Sequence, residues 1–171
     1  MICLFSIQTW AQSGKLFNTD NQLSSNLATQ VFQDKSGFIW IATRNGLNNY
    51  DGYHITVIKK DMSNFLGLNS NYINSIAQDE KEHILLGTNN SLLEFTGSEF
   101  LKIPMLDSKG KELATYVKQI YPLRNKDVAV ATSGYGIMLK KQDEQKCHAM
   151  KGEVEKLKYI HKLLEDKRGR L

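Results

Sequence analysis

Residues 23–58 are repeated at 68–103. With a shift of 45, LSSNLATQVFQDKSGFIWIATRNGLNNYDGYHITVI lies over LNSNYINSIAQDEKEHILLGTNNSLLEFTGSEFLKI without a gap, and eleven of 36 positions are identical. Leu23/Leu68, Ser25/Ser70, Asn26/Asn71, Asp34/Asp79 and Thr43/Thr88 are among them. A repeat of this length constrains the fold more than any other feature, because each copy must bury its apolar face against the next. A weaker third copy runs from Tyr116 to about Lys141, with apolar Ile120, Val128 and Val130 and with Thr132 in register. A shift of 132 lays 160–171 over 28–39, with Asp166, Lys167 and Gly169 on Asp34, Lys35 and Gly37. That register favours a fourth copy, beginning near residue 155 and cut short, over the amphipathic helix suggested by the spacing of Val154, Leu157, Ile160 and Leu163.

Each full copy divides into four short strands. In the first they are Ala28–Gln33, Phe38–Thr43, Leu47–Tyr50 and Tyr53–Ile58, punctuated by Lys35-Ser36-Gly37, Arg44-Asn45-Gly46 and Asp51-Gly52. Asn-Gly and Asp-Gly supply the positive φ that tight hairpin turns require. The pattern predicts an all-β chain: an incomplete β-propeller of about three and a half four-stranded antiparallel blades, with a repeat of 43–45 residues. The blades are expected at about 23–58, 68–103 and 116–141, with the shortened fourth behind them.

These motifs resemble the two-component-regulator propeller repeat. The correspondence is carried by LSSN at 23–26, Asp34-x-x-Gly37, Ile39-Trp40-Ile41-Ala42-Thr43, Gly46-Leu47 and Tyr50-Asp51-Gly52, with Ala42 where the pattern has glycine and Gly87 restoring it in the second copy. The repeat fills the periplasmic sensor region of hybrid two-component system proteins of Bacteroidetes. The resemblance implies a part of such a sensor for glycan-derived oligosaccharides, membrane-anchored and joined to a histidine kinase only in a full-length relative. The sequence shows no Gly-rich phosphate loop, nucleophile elbow or HExxH, so no enzymatic activity and no cofactor are expected for this chain. Two readings stand as alternatives: a fragment of a propeller lyase or glycosidase, and a non-functional remnant of a split gene.

Composition adds exclusions. Hydrophobic residues make up 41% and charged residues 23%, which is ordinary for a globular protein. No apolar run approaches a membrane span. The whole formal charge of +4 falls within 146–171, where eight basic residues stand beside four acidic ones. This is a solvated basic end rather than a nucleic-acid footprint, which would place its charge on the folded body among stacking aromatics. Residues 1–11 read as a signal peptide lacking its first residues, with Thr9 and Ala11 as the small residues before the cleavage point, so a periplasmic location is expected.

Candidate sites are sparse. His54, His83, His148 and His161 are scattered and show no metal-ligand spacing, so no metal site is expected. Asp34, Asp79 and Asp166 recur at one repeat position, which points to turn capping rather than acid–base work. Gly37, Gly46, Asp51, Gly52, Gly97 and Gly169 fall at the matching turns. Trp40 and Phe95 are expected in the core between blades. The loops after each second strand share one end of the propeller with the long connections 59–67 and 104–115. That end offers Arg44, Asn45, Asn89, Asn90 and Tyr135 as hydrogen-bonding and stacking groups for an oligosaccharide. Two blade faces left uncovered predict self-association, or packing against the remainder of a propeller.

Overall fold

The computed structural model describes residues 14–60, 67–152 and 157–171; the expected signal peptide lies outside them. The first sheet contains β1 (Ala28–Gln33), β2 (Ile39–Thr43), β3 (Gly46–Tyr50) and β4 (Ile55–Ile58), antiparallel in the order β1-β2-β3-β4. The second repeats this order with β5 (Ile73–Gln78), β6 (Ile84–Thr88), β7 (Leu92–Phe95) and β8 (Phe100–Ile103). These are propeller blades, and the chain is all-β; among the described residues the one helical element is a 3-10 turn at Thr19–Asn21. Phe38, Tyr53 and His54 fall in turns rather than strands.

The turns form as their residues dictate. Asp34 Oδ1 accepts from the Phe38 amide at 3.0 Å, Asp79 Oδ1 from Lys81 and His83 at 2.9 Å, and Asp166 Oδ1 from Arg168 and Arg170 at 2.8 and 3.0 Å. Thr43, Thr88 and Thr132 are fully buried, and their hydroxyls donate across the turns after β2, β6 and the matching third-blade strand, to the carbonyls of Gly46, Ser91 and Gly136. Gly46 has φ +128°, and a Cβ there would meet Ile58 O at 3.1 Å, so glycine is required on both grounds.

The third sheet departs from the simple expectation. It has six strands in the order β10-β9-β14-β13-β12-β11. They are β9 (Met105–Leu106), β10 (Glu112–Leu113), β11 (Tyr116–Pro122), β12 (Val128–Ser133), β13 (Ile137–Lys140) and β14 (Cys147–Ala149). Residues 104–115, expected as a loop on the binding end, instead make the hairpin β9-β10, and β9 pairs in parallel with β14. The pairing covers the open edge of β14, and Met105 and Leu113 bury their side chains in the core. Residues 157–171 follow the outside of this blade in extended form. Tyr159 bridges Ser133, and the turn at Asp166 copies that at Asp34.

Pairing register assigns the faces. Phe32, Trp40 and Asn49 are opposite one another, as are Gln30, Ala42 and Leu47, so all six side chains share one face of blade one. That face packs on Ile73, Ile76, Ile84, Leu86, Leu93 and Phe100 of blade two. The other face of blade two, with Ala77, Leu85, Leu92 and Ile103, packs on Val117, Ile120, Val128, Val130 and Met138 of blade three. Each fully buried Leu or Ile contributes about 1.5–3 kcal/mol, so stability resides between blades.

Candidate functional site

The inner strands β1, β5 and β11 each carry one irregularity in register, between Ala28 and Gln30, Ile73 and Ser75, and Val117 and Gln119. The skipped residues are Thr29, Asn74 and Lys118. A bulge re-aims the side chain at its extra residue, and here it brings polar groups of successive blades together. Tyr116 Oη of blade three donates to Asn74 Oδ1 of blade two at 2.7 Å. Asn74 Nδ2 is buried with no hydrogen-bond partner among the described residues.

Tyr72, held by its amide bond to Ser70 Oγ at 3.1 Å, lies edge-on to Tyr116 with ring centres 6.0 Å apart. The Arg44 guanidinium from blade one stands 5.6 Å from the centre of Tyr72, and Lys118 Nζ lies 4.0 Å over Tyr116. Both contacts are within cation–π range. Desolvation, reinforced by the neighbouring Tyr72, raises the Tyr116 pKa to about 12, so its hydroxyl remains a donor at neutral pH. The row thus presents two half-buried rings and two cations across three blades, with the unused amide N–H₂ of Asn74 buried within it.

Arg44 is the residue of the expected binding end that joins this row. Asn45 donates its amide to Thr43 Oγ1, and Asn90 donates its amide to Thr88 Oγ1. Asn89 accepts from Ser70 Oγ at 2.8 Å. These three asparagines hold turns together. Tyr135 is exposed between Gly134 and Gly136. Trp40 is buried and meets Phe95 edge-on at 5.7 Å, in the core. Tyr72, Asn74, Tyr116 and Lys118 are the residues missed from sequence. Their signal was present: Tyr72 and Tyr116 occupy one repeat position, and Asn74 and Lys118 another, each polar within an apolar strand.

A second constellation was also missed. His83 Nδ1 lies 3.0 Å from Glu94 Oε1 and 4.0 Å from Asp79 Oδ2, so the expectation that no histidine has ligand neighbours does not hold for His83. Lys140 Nζ of blade three lies 4.0 Å from the same Asp79 oxygen. Asp79, Glu94 and Lys140 are all buried, and His83 is partly open to solvent.

The model of a repeat described as two component regulator propeller matches residues 22–45 and 67–90. These two stretches are similar to two component regulator propeller repeats. The matched stretches run from the Leu-x-Ser-Asn segments through β1 and β2 and through β5 and β6. The fold of the chain is similar to the extracellular domain of the hybrid two component system BT4673 from B. thetaiotaomicron, at 17% identity and TM-score 0.66, over 90% of this chain and 21% of that one. The extracellular domain of the hybrid two component system BT3049 from B. thetaiotaomicron is similar at 16% identity and TM-score 0.57, over 91% and 28%. PorZ, a surface component of the type-IX secretion system of Porphyromonas gingivalis, is similar at 15% identity and TM-score 0.53, over 72% and 21%. The chain therefore spans between about a fifth and somewhat over a quarter of the length of these solved structures. No curated protein sequence matches it. Among the described residues no helix is long and apolar enough to cross a membrane.

Proposed function

We propose that this chain is part of the exported sensor region of a hybrid two component system, and that it contributes to binding an oligosaccharide released from a glycan. The observation that carries the ligand reading is the row Arg44, Tyr72, Asn74, Tyr116 and Lys118. Half-buried tyrosine rings offer faces to the apolar sides of a sugar ring, and the surrounding donors suit hydroxyl or carboxylate oxygens. The regulator propeller repeats, and the extracellular placement of similarly folded domains, support the sensor role. In this reading the chain binds and does not catalyse. The carboxylate pair Asp79 and Glu94 is buried at a blade interface and engaged with His83 and Lys140, which suits neither a glycosidase nor a lyase.

The test is calorimetric titration of the full chain with neutral and uronic-acid oligosaccharides. Saturable binding is expected, weakened at least about tenfold by Tyr72→Ala or Arg44→Ala, the size of one lost stacking contact. Tyr53→Ala, at an exposed tyrosine outside the row, is expected to leave it unchanged. Binding that survives both row variants would place the ligand elsewhere, and absence of binding to every sugar would remove the reading for this chain.

A further inference from the structure

The two blade interfaces are built on equivalent positions, yet one of them has changed its chemistry. Between blades one and two, Asp34 Oδ2 accepts from Trp40 Nε1 at 2.8 Å, Phe95 packs against Trp40, and Phe38 and Asn49 complete the group. One repeat of 45 residues on, Trp40 becomes Leu85, Phe38 becomes His83, Asn49 becomes Glu94 and Phe95 becomes Lys140, while the aspartate persists as Asp79. Four neutral positions have become one apolar and three ionisable ones together.

With Trp40 replaced by leucine, the second oxygen of the aspartate loses its donor. Asp79 Oδ1 remains fixed by the amides of Lys81 and His83 at 2.9 Å. Asp79 Oδ2 accepts no hydrogen bond among the described residues. The nearest cationic atoms, His83 Nδ1 and Lys140 Nζ, are at 4.0 Å, beyond the 2.7–3.2 Å of an N–H···O bond. Asp79 is 6% exposed and Glu94 3%. Two buried carboxylates thus face one buried ammonium and the His83 imidazole, so a positive charge, either a proton on His83 or a bound cation, is needed to balance the cluster. The ligand atoms of Asp79, His83 and Glu94 all lie within 4.8 Å of one another.

We propose that Asp79, His83 and Glu94 form a binding site for a divalent transition-metal ion of the zinc class. One imidazole nitrogen and two carboxylate oxygens suit a borderline ion such as Zn²⁺, whereas Ca²⁺ would need six to eight oxygens. Bonds of about 2.0–2.2 Å require the triangle of donors to close by roughly an ångström, which rotation of the His83 ring and the Glu94 carboxylate can supply. Amides hold Asp79 from behind, the open side of His83 gives the ion an entry path, and the fourth position falls to water or an anionic group. The ion and the two carboxylates sum to zero charge, so Lys140 leaves the loaded site cationic, which favours an anionic group at the fourth position. The ion ties the β5–β6 turn to β7, and the loaded site stiffens the face that blade two turns to blade three.

Co²⁺ titration of the chelator-stripped full chain, read by its visible ligand-field bands, tests this. One Co²⁺ per chain is expected, displaced by Zn²⁺ and accompanied by a rise in melting temperature. His83→Phe and Glu94→Asn install the residues of the first interface, so both should fold; each is expected to weaken uptake by more than about 100-fold, beyond the usual cost of an outer-shell change. His54→Ala, at an exposed histidine, should leave uptake intact. No saturable uptake, meaning an ion-pair network only, would overturn the proposal, as would uptake undiminished in the two variants. Should His83→Phe fail to fold, Co²⁺ protection of His83 from diethyl pyrocarbonate in the unaltered protein decides: protection supports the site, and its absence removes it.

Discussion

A Cβ on Gly87 would lie 2.5 Å from Val117 Cγ1, closer than any real contact, so β6 of blade two approaches β11 of blade three through the absence of a side chain. The matching position in blade one is Ala42, packed in the first interface beside Ile73. Gly87→Ala is therefore expected to cost about 1–3 kcal/mol by overpacking. Urea unfolding measures this, and Val117→Ala in the same chain should recover part of the loss. Asp51, Asp107 and Asp166 act at the same scale. Backbone amides of His54, Lys111 and Arg170, respectively, are the main reason that their carboxyls titrate below the ordinary 3.8. Folding thus favours the ionised form. Their contribution is whole above pH 3.8 and is lost as pH falls through the lowered values. Acid unfolding followed by circular dichroism should shift toward neutral pH when all three are replaced by alanine.

At the scale of elements, one contact couples each inner strand to the next. Gln30 exchanges two bonds with the backbone of Ile76, at 2.8 and 2.9 Å. Ser75 Oγ accepts from the Ile120 amide at 3.0 Å, and Gln119 Oε1 accepts from the Leu163 amide at 2.7 Å. Gln30, Ser75 and Gln119 each follow a register irregularity, so the bulge that aims Thr29, Asn74 and Lys118 also turns the next side chain toward the neighbouring blade. Ser75 is 2% exposed, and Ser75→Ala would leave the buried Ile120 amide without an acceptor. A loss of about 1–3 kcal/mol is expected, with faster hydrogen exchange at Ile120 as its local signature. An unchanged exchange rate there would show that the bond does not couple the blades.

The whole molecule is held by two apolar interfaces, and the second also contains Cys147, fully buried beside Met105 and Leu113. Cys147 is a free thiol, and burial raises its pKa from 9.0 to about 12. Folding favours the neutral thiol, so its contribution is whole below pH 9 and is lost as pH rises toward 12. A disulfide reagent at pH 8 is expected to leave Cys147 unmodified in the native chain and to react once urea unfolds it. Rapid native reaction would show that the β9–β14 edge opens. The outer faces at either end of the blade series present Leu27 and Val31 on one side and Leu157 and Leu164 on the other, all more than half exposed. These are the surfaces through which self-association or further blades would extend the stack.

The sequence by itself determined the repeat, the strand order within each blade and the turn chemistry. Those are local: aspartate caps the amides next to it, Gly46 takes the φ that other residues avoid, and the apolar alternation of β1–β4 recurs in β5–β8. Tertiary structure alone decided which residues of different repeats meet. The hairpin β9-β10 returns to β14 because an open strand edge needed covering, and nothing in residues 104–115 announces that destination. Likewise Arg44, Tyr72 and Lys118 lie 28 to 74 positions apart and converge only when three bulged strands stand side by side. His83 looked solitary because Glu94 reaches it across a hairpin, and Lys140 reaches the neighbouring Asp79 only across a blade interface. Such groups are brought together by packing between repeats, and a pattern read along one chain shows them only when the repeats are compared position by position.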